Sequence, residues 1–186
     1  KAVKLEPELR MIVEQGPIYL SRVDAIRSLG KDFSAVNVER VLAKDKSVPV
    51  MAAALEELHH ADLTIADKIA HPYLKHKDSR IRKAVVALFG SLKNVNAVPE
   101  ITDIFLNDSN NGVVMIAAGA LGEIKDARAV EPLLTEFTRK GERRYVLSSV
   151  IFALGSLQDK RATRPLLDYL KSPKVARSKY AAYTKN

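Results

Sequence analysis

The sequence predicts an all-α solenoid, and three observations carry that prediction. First, the chain repeats itself: the segments Ile81 to Leu92, Val113 to Ile124 and Val146 to Leu157 align, with Gly90, Gly122 and Gly155 spaced 32 and 33 residues apart. Second, a second piece repeats in the same register, Ala97-Val98-Pro99, Ala129-Val130-Glu131-Pro132 and Ala162-Thr163-Arg164-Pro165, with its prolines 33 residues apart. Proline is tolerated in a helix only in the first turn, so each of these pieces should begin a helix. Third, apolar residues fall at helical spacing within both pieces, and no strand-like alternation persists. Stacked helix pairs are the architecture that such periodicity describes.

Each element follows from this register. Asn94, Asp126 and Asp159 stand four residues after the three glycines, where an N-cap is needed for the next helix. The first helices carry one apolar stripe each: Ile101, Ile104 and Phe105, then Leu133, Leu134 and Phe137, then Leu166, Leu167 and Leu170. The second helices are apolar nearly all round (Val146, Leu147, Val150, Ile151, Phe152, Leu154), as befits helices packed between neighbours. Gly30, Gly90, Gly122 and Gly155 are expected to allow close helix approach or a left-handed cap. The N-terminal half repeats more loosely: Leu29-Gly30 matches, and Leu58-His59 stands where Leu-Gly belongs. First helices are expected near 5–15, 34–44, 64–76, 97–107, 128–139 and 161–171. Second helices are expected near 20–30, 48–60, 80–93, 112–125 and 143–158. One domain therefore covers 1–186, with repeats at about 1–31, 32–62, 63–94, 95–126 and 127–159 and a partial sixth at 160–186.

The pattern Asp78-x-x-Ile81-Arg82-x-Ala84-x-x-Ala87-Leu88-Phe89-Gly90 resembles the HEAT repeat, in the short form named for phycobilisome lyases. The resemblance implies a right-handed α-α superhelix of five helix pairs plus a partial sixth. The Arg usual in the second helix of that family matches Arg22 and Arg82. Met51, Val114 and Leu147 hold the equivalent positions elsewhere, so an Asp–Arg ladder would be interrupted.

Composition narrows the function classes. There is no Cys, which excludes disulfides, thiolate metal sites and a Cys nucleophile, and there is no Trp. No Gly-x-Ser-x-Gly elbow and no Gly-rich phosphate loop occurs, so neither catalysis nor a cofactor is expected. The four histidines are His59, His60, His71 and His76. His59 and His60 are adjacent and should point to different helix faces, and His71 and His76 are poorly spaced for one face. HEAT-type hydroxylases repeat their His-Glu pairs from unit to unit, whereas Glu56-Glu57-x-His59-His60 occurs once. No metal site is therefore expected. No apolar stretch reaches the length of a membrane span and no signal-peptide core is present, so a soluble, cytoplasmic protein is expected. The chain starts at Lys1 rather than Met and reads as a mature form or, the preferred reading, as a piece excised from a longer protein. At the other end, either Arg177-Ser178-Lys179-Tyr180 opens a terminal cap or the array is cut.

The net charge is +8. Residues 160–186 hold eight cations against Asp168 alone, which leaves the rest of the chain nearly neutral. Local clusters occur at Lys75, Lys77, Arg80, Arg82 and Lys83, at Arg139, Lys140, Arg143 and Arg144, and at Lys171, Lys174, Arg177 and Lys179. All three mark the turn between the first and second helix of a unit, and such turns stack along one edge of a solenoid. Cations in a helix's first turn oppose the macrodipole, by roughly 0.3–1 kcal/mol each. Two readings stand: a solvated edge, or a discontinuous ridge (Lys75, Arg80, Lys83, Arg143, Arg144, Lys174, Arg177) that meets an acidic protein partner. The preferred function is a non-catalytic scaffold that binds a protein through its second-helix face and this edge. A nucleic acid is a weaker candidate partner, since few aromatics accompany the cations. The stretch Gly16 to Ile26 is also similar to the entry into HEAT-like C-terminal domains of bacterial zinc aminopeptidases, which would make the chain an accessory domain of a larger enzyme. The zinc-binding His-Glu-x-x-His of those enzymes is absent from this chain.

Overall fold

A computed structural model describes residues 6–139 and 145–172. These residues form eleven α-helices and no strand. The first helices of the units are α1 (Glu6–Gln15), α3 (Ala35–Lys44), α5 (Leu63–Ala70), α7 (Val98–Asn107), α9 (Val130–Thr138) and α11 (Lys160–Leu170). The second helices are α2 (Tyr19–Leu29), α4 (Val48–Glu56), α6 (Ser79–Ser91), α8 (Asn111–Ile124) and α10 (Leu147–Leu157).

The second helices pack in series, α2 on α4, α4 on α6, α6 on α8 and α8 on α10, while α1, α3, α7 and α9 lie against their own partners. The inner row is thus flanked on both sides, which is why its helices are the most completely apolar. Ile26, Leu55, Phe89, Leu121 and Leu154 are fully buried, one from each second helix. Phe105 and Leu133 close the same core from the first helices.

Side chains start the helices where the register requires. Asn94, Asp126 and Asp159 accept from the backbone N–H groups of Asn96, Arg128 and Arg161. Asp62, Asp78 and Asn110 do the same for α5, α6 and α8. Pro99 and Pro132 fall in the first turns of α7 and α9 because a short 3-10 turn precedes each helix (Val95–Ala97 and Ala127–Ala129). Pro165 departs from the expectation. In α11 the helix runs straight from the Asp159 cap with no 3-10 turn, so Pro165 lies inside it and leaves the Arg161 carbonyl without its helical donor.

The glycines separate into two roles. A Cβ on Gly90 would lie 2.9 Å from the Cα of Ala120, and one on Gly122 would lie 2.7 Å from the Cα of Ala153. Both therefore let neighbouring second helices touch backbone to backbone. Gly30 instead takes a positive φ of 48° at the end of α2. In the later units the left-handed position falls three residues beyond the glycine, on Lys93, Lys125 and Gln158. The N–H groups of Lys93 and Asn94 return to the carbonyls of Gly90 and Phe89, which closes α6 with a Schellman turn.

Candidate interaction surface

The edge formed by the first-to-second helix turns is held by paired Asp and Arg residues. The Asp45 carboxylate accepts from the Ser47 N–H, and the Asp108 carboxylate accepts from the Asn110 N–H, so each shapes its own turn. Each also receives an arginine from the preceding unit. Arg82 donates from Nε and Nη2 to Asp108 at 2.7 and 2.8 Å, and its Nη1 reaches the carbonyls of His76 and Lys77. Arg22 repeats the arrangement with Asp45 at 3.0 Å and the Gly16 carbonyl at 2.6 Å. Burial pushes the Asp108 carboxyl up, but the Arg82 hydrogen bonds, the Asn110 N–H and the arginine's charge outweigh it and hold the group below the ordinary range. Met51 occupies the equivalent position in α4, so the ladder breaks between the second and third units.

The opposite edge uses a different device. Asp126 and Asp159 each cap a first helix and bind the arginine two residues on, and those arginines reach back to the carbonyls of Val95 and Ala127. Asp78 and Arg80 form the same couple on the first edge.

Of the ridge residues expected from sequence, Lys75 is exposed, as is its neighbour Lys77. Arg80 is exposed but is held by the Asp78 carboxylate at 2.7 Å, which cancels its charge locally. Lys83 is half-buried and lies along the first turn of α8 beside Gly112. Arg82 and Arg139, which belong to the same charge clusters, are paired with Asp108 and Glu136. Arg143, Arg144, Lys174 and Arg177 lie outside the described residues.

The structure adds cations that sequence reasoning missed. A cavity of about 480 Å³ opens between α1 and α3 on the same edge, at the turns of the first two units. Arg10, Arg22, Arg40, Lys44 and Lys46 line it, against Glu14 and Asp45. Buried Val13, Phe33 and Val41 contribute apolar lining. Arg40 is paired with Glu14 and Arg22 with Asp45. Lys44 and Lys46 are exposed and form no ion pair among the described residues. These five cations are spread over 37 positions of sequence, so no charge run announces them; only the packing of the first three helices brings them together.

The second-helix face is apolar at its C-terminal end. Met115 and Ile116 of α8 are exposed, and Phe152 of α10 is 61% exposed. The expected stripe of the last first helix, Leu166, Leu167 and Leu170, is only partly covered, with Leu167 and Leu170 exposed among the described residues.

Residues 68–150, from α5 into α10, match the family model for HEAT repeats. This part of the chain is similar to HEAT repeats. The matched model describes HEAT repeats at large and does not single out the phycobilisome-lyase form. HEAT repeats are in general protein-interaction and scaffold modules, on a fold that is typically non-catalytic. No curated protein matches the chain. Among the described residues no helix is long and apolar enough to cross a membrane.

The histidines sit differently from the expectation. His59 and His60 belong to a 3-10 turn, Glu57–His60, that ends α4, and their ring centroids are 3.7 Å apart instead of facing opposite sides. His71 packs between carboxylates, with Nδ1 3.2 Å from Asp67 and Nε2 3.7 Å from Glu100. His76 Nδ1 accepts from the Asp78 N–H and is committed to its own turn.

Proposed function

We propose that this HEAT array is a non-catalytic interaction module that binds an acidic segment of a protein partner along its first-to-second turn edge. The observation that carries the reading is the cavity between α1 and α3: five cations surround it against two carboxylates, and Val13, Phe33 and Val41 give it an apolar part. An acidic side chain flanked by an apolar residue suits such a lining. Lys44 and Lys46 meet it without first giving up a partner, and the exposed Arg40–Glu14 pair is weak enough to be exchanged. Lys75 and Lys77 continue the positive edge into the third unit, and Arg143, Arg144, Lys174 and Arg177 extend it in sequence. The exposed Met115, Ile116 and Phe152 offer the partner a second, apolar contact.

The test is cross-linking of the purified chain to partners captured from its native extract, followed by mapping of the linked segments. Lys44→Glu with Lys46→Glu should weaken capture at least tenfold and remove its salt sensitivity, while the circular dichroism spectrum stays unchanged. Capture that survives this pair, the Lys75→Glu variant and the Arg143→Glu/Arg144→Glu variant would remove the edge from the binding surface.

A further inference from the structure

The geometry points to a binding site for a divalent transition-metal ion, zinc in the first instance, formed by Glu57, His59 and His60 at the end of α4. One ligand atom from each of the three lies within 4.8 Å of the other two. The 3-10 conformation creates this proximity. Residues i and i+3 eclipse in a 3-10 turn, which stacks Glu57 under His60 and brings Oε2 to 3.9 Å from Nε2. The His59 ring leans onto the His60 ring from the adjacent position.

Three further features suit a cation. His59 Nδ1 lies 2.7 Å from the Glu56 carbonyl, which can only accept, so Nδ1 carries the proton and Nε2 presents its lone pair. A second-sphere bond from a ring N–H to a backbone carbonyl is the usual way a protein orients a ligating histidine. The Glu57 side chain is only 10% exposed, so its carboxylate is held against the protein beneath the exposed rings. The cluster also sits at the C-terminal end of α4, where the free carbonyls favour positive charge.

The repeat itself shows that the fold does not ask for these residues. Leu29-Gly30, Phe89-Gly90, Leu121-Gly122 and Leu154-Gly155 occupy the corresponding positions of the other four pairs, each with its large apolar residue buried. Leu58 is buried in the same way, and the departure begins at His59, where the rings turn outward. Two imidazoles and one carboxylate leave a fourth tetrahedral position for water. Ligands at bonds of about 2.0–2.2 Å sit roughly 3.3 Å apart, which small rotations of two exposed rings achieve.

The experiment is calorimetric titration of the untagged full chain with zinc chloride. It should show one ion per chain, with His59→Ala, His60→Ala and Glu57→Gln each weakening binding at least tenfold. His71→Ala should leave it unchanged. Saturating zinc should raise the unfolding midpoint of the parent protein but not of the His59→Ala/His60→Ala variant. Absence of saturable one-to-one uptake, or uptake by that double variant equal to the parent's, overturns the assignment.

Discussion

The guanidinium of Arg82 grips the Asp108 carboxylate through two hydrogen bonds, 26 residues away in sequence and one unit further along the array. Both side chains are largely buried, at 14% and 6% exposure. Removing one partner would leave the other's charge stranded in that environment. Arg82→Ala should therefore destabilise the fold by about 3 kcal/mol. Arg82→Lys should recover only part of this, because an ammonium cannot reproduce the fork that reaches Asp108 and two carbonyls at once. Urea denaturation of both variants checks the order.

The close approach of α8 and α10 makes glycine indispensable at one position and wasteful at another. Gly122→Ala should cost about 1–3 kcal/mol, since its Cβ would meet the Ala153 backbone and force the helices apart. Gly119, one turn away in α8, has nothing within 4 Å of an added Cβ. Gly119→Ala should stabilise the protein by about 0.5–1 kcal/mol through helix propensity alone. Thermal melts of the two variants should move in opposite directions.

Lys125 ends α8 with φ 61° and ψ 35°, a left-handed conformation that a side chain adopts at a cost of about 1–2 kcal/mol. Lys125→Gly should relieve most of it, offset by the extra freedom of glycine in the unfolded chain, for a net gain near 0.5 kcal/mol. Lys93→Gly and Gln158→Gly should behave alike. Loss of stability in all three would show that these side chains contribute contacts worth more than the strain.

The Asp caps set an acid limit. The hydrogen bonds from the Arg161 side chain and backbone, with the arginine's charge, hold the Asp159 carboxyl down to about 2. A depressed folded value means that this contribution is complete above the unfolded value of about 3.9 and fades as pH falls toward 2. Asp159→Asn should thus be less stable than the parent at pH 7, with the difference closing between about pH 4 and 2. A difference that persists unchanged at pH 2 would count against the ion pair as its source.

Register, caps and helix order were legible because each is a local property repeated from unit to unit. The expected second helix at 112–125 is found at Asn111–Ile124, and Asn94, Asp126 and Asp159 cap as their positions suggest. What escaped the sequence depends on geometry that spacing does not encode. Pro165 entered a helix interior because one unit lacks the 3-10 turn that precedes Pro99 and Pro132. His59 and His60 came together because α4 tightens to a 3-10 turn where the register predicted an α-helix through residue 60. Arg80 drops out of the ridge because Asp78, read as part of the repeat signature, also faces it. The cations of the first cavity were individually visible and collectively silent, being drawn from three helices and a turn.

The broken ladder has a mechanical consequence. Arg22 fastens the first unit to the second and Arg82 fastens the third to the fourth, while Met51 leaves the joint between the second and third without that clasp. Under tension or bending along this edge, the first and second units should move as one stiff block and the third and fourth as another. The deformation then concentrates at the joints without a clasp, α4–α6 and, where Val114 stands, α8–α10, which makes the array an articulated spring whose first hinge is α4–α6. An arginine at position 51 would be the substitution that stiffens it.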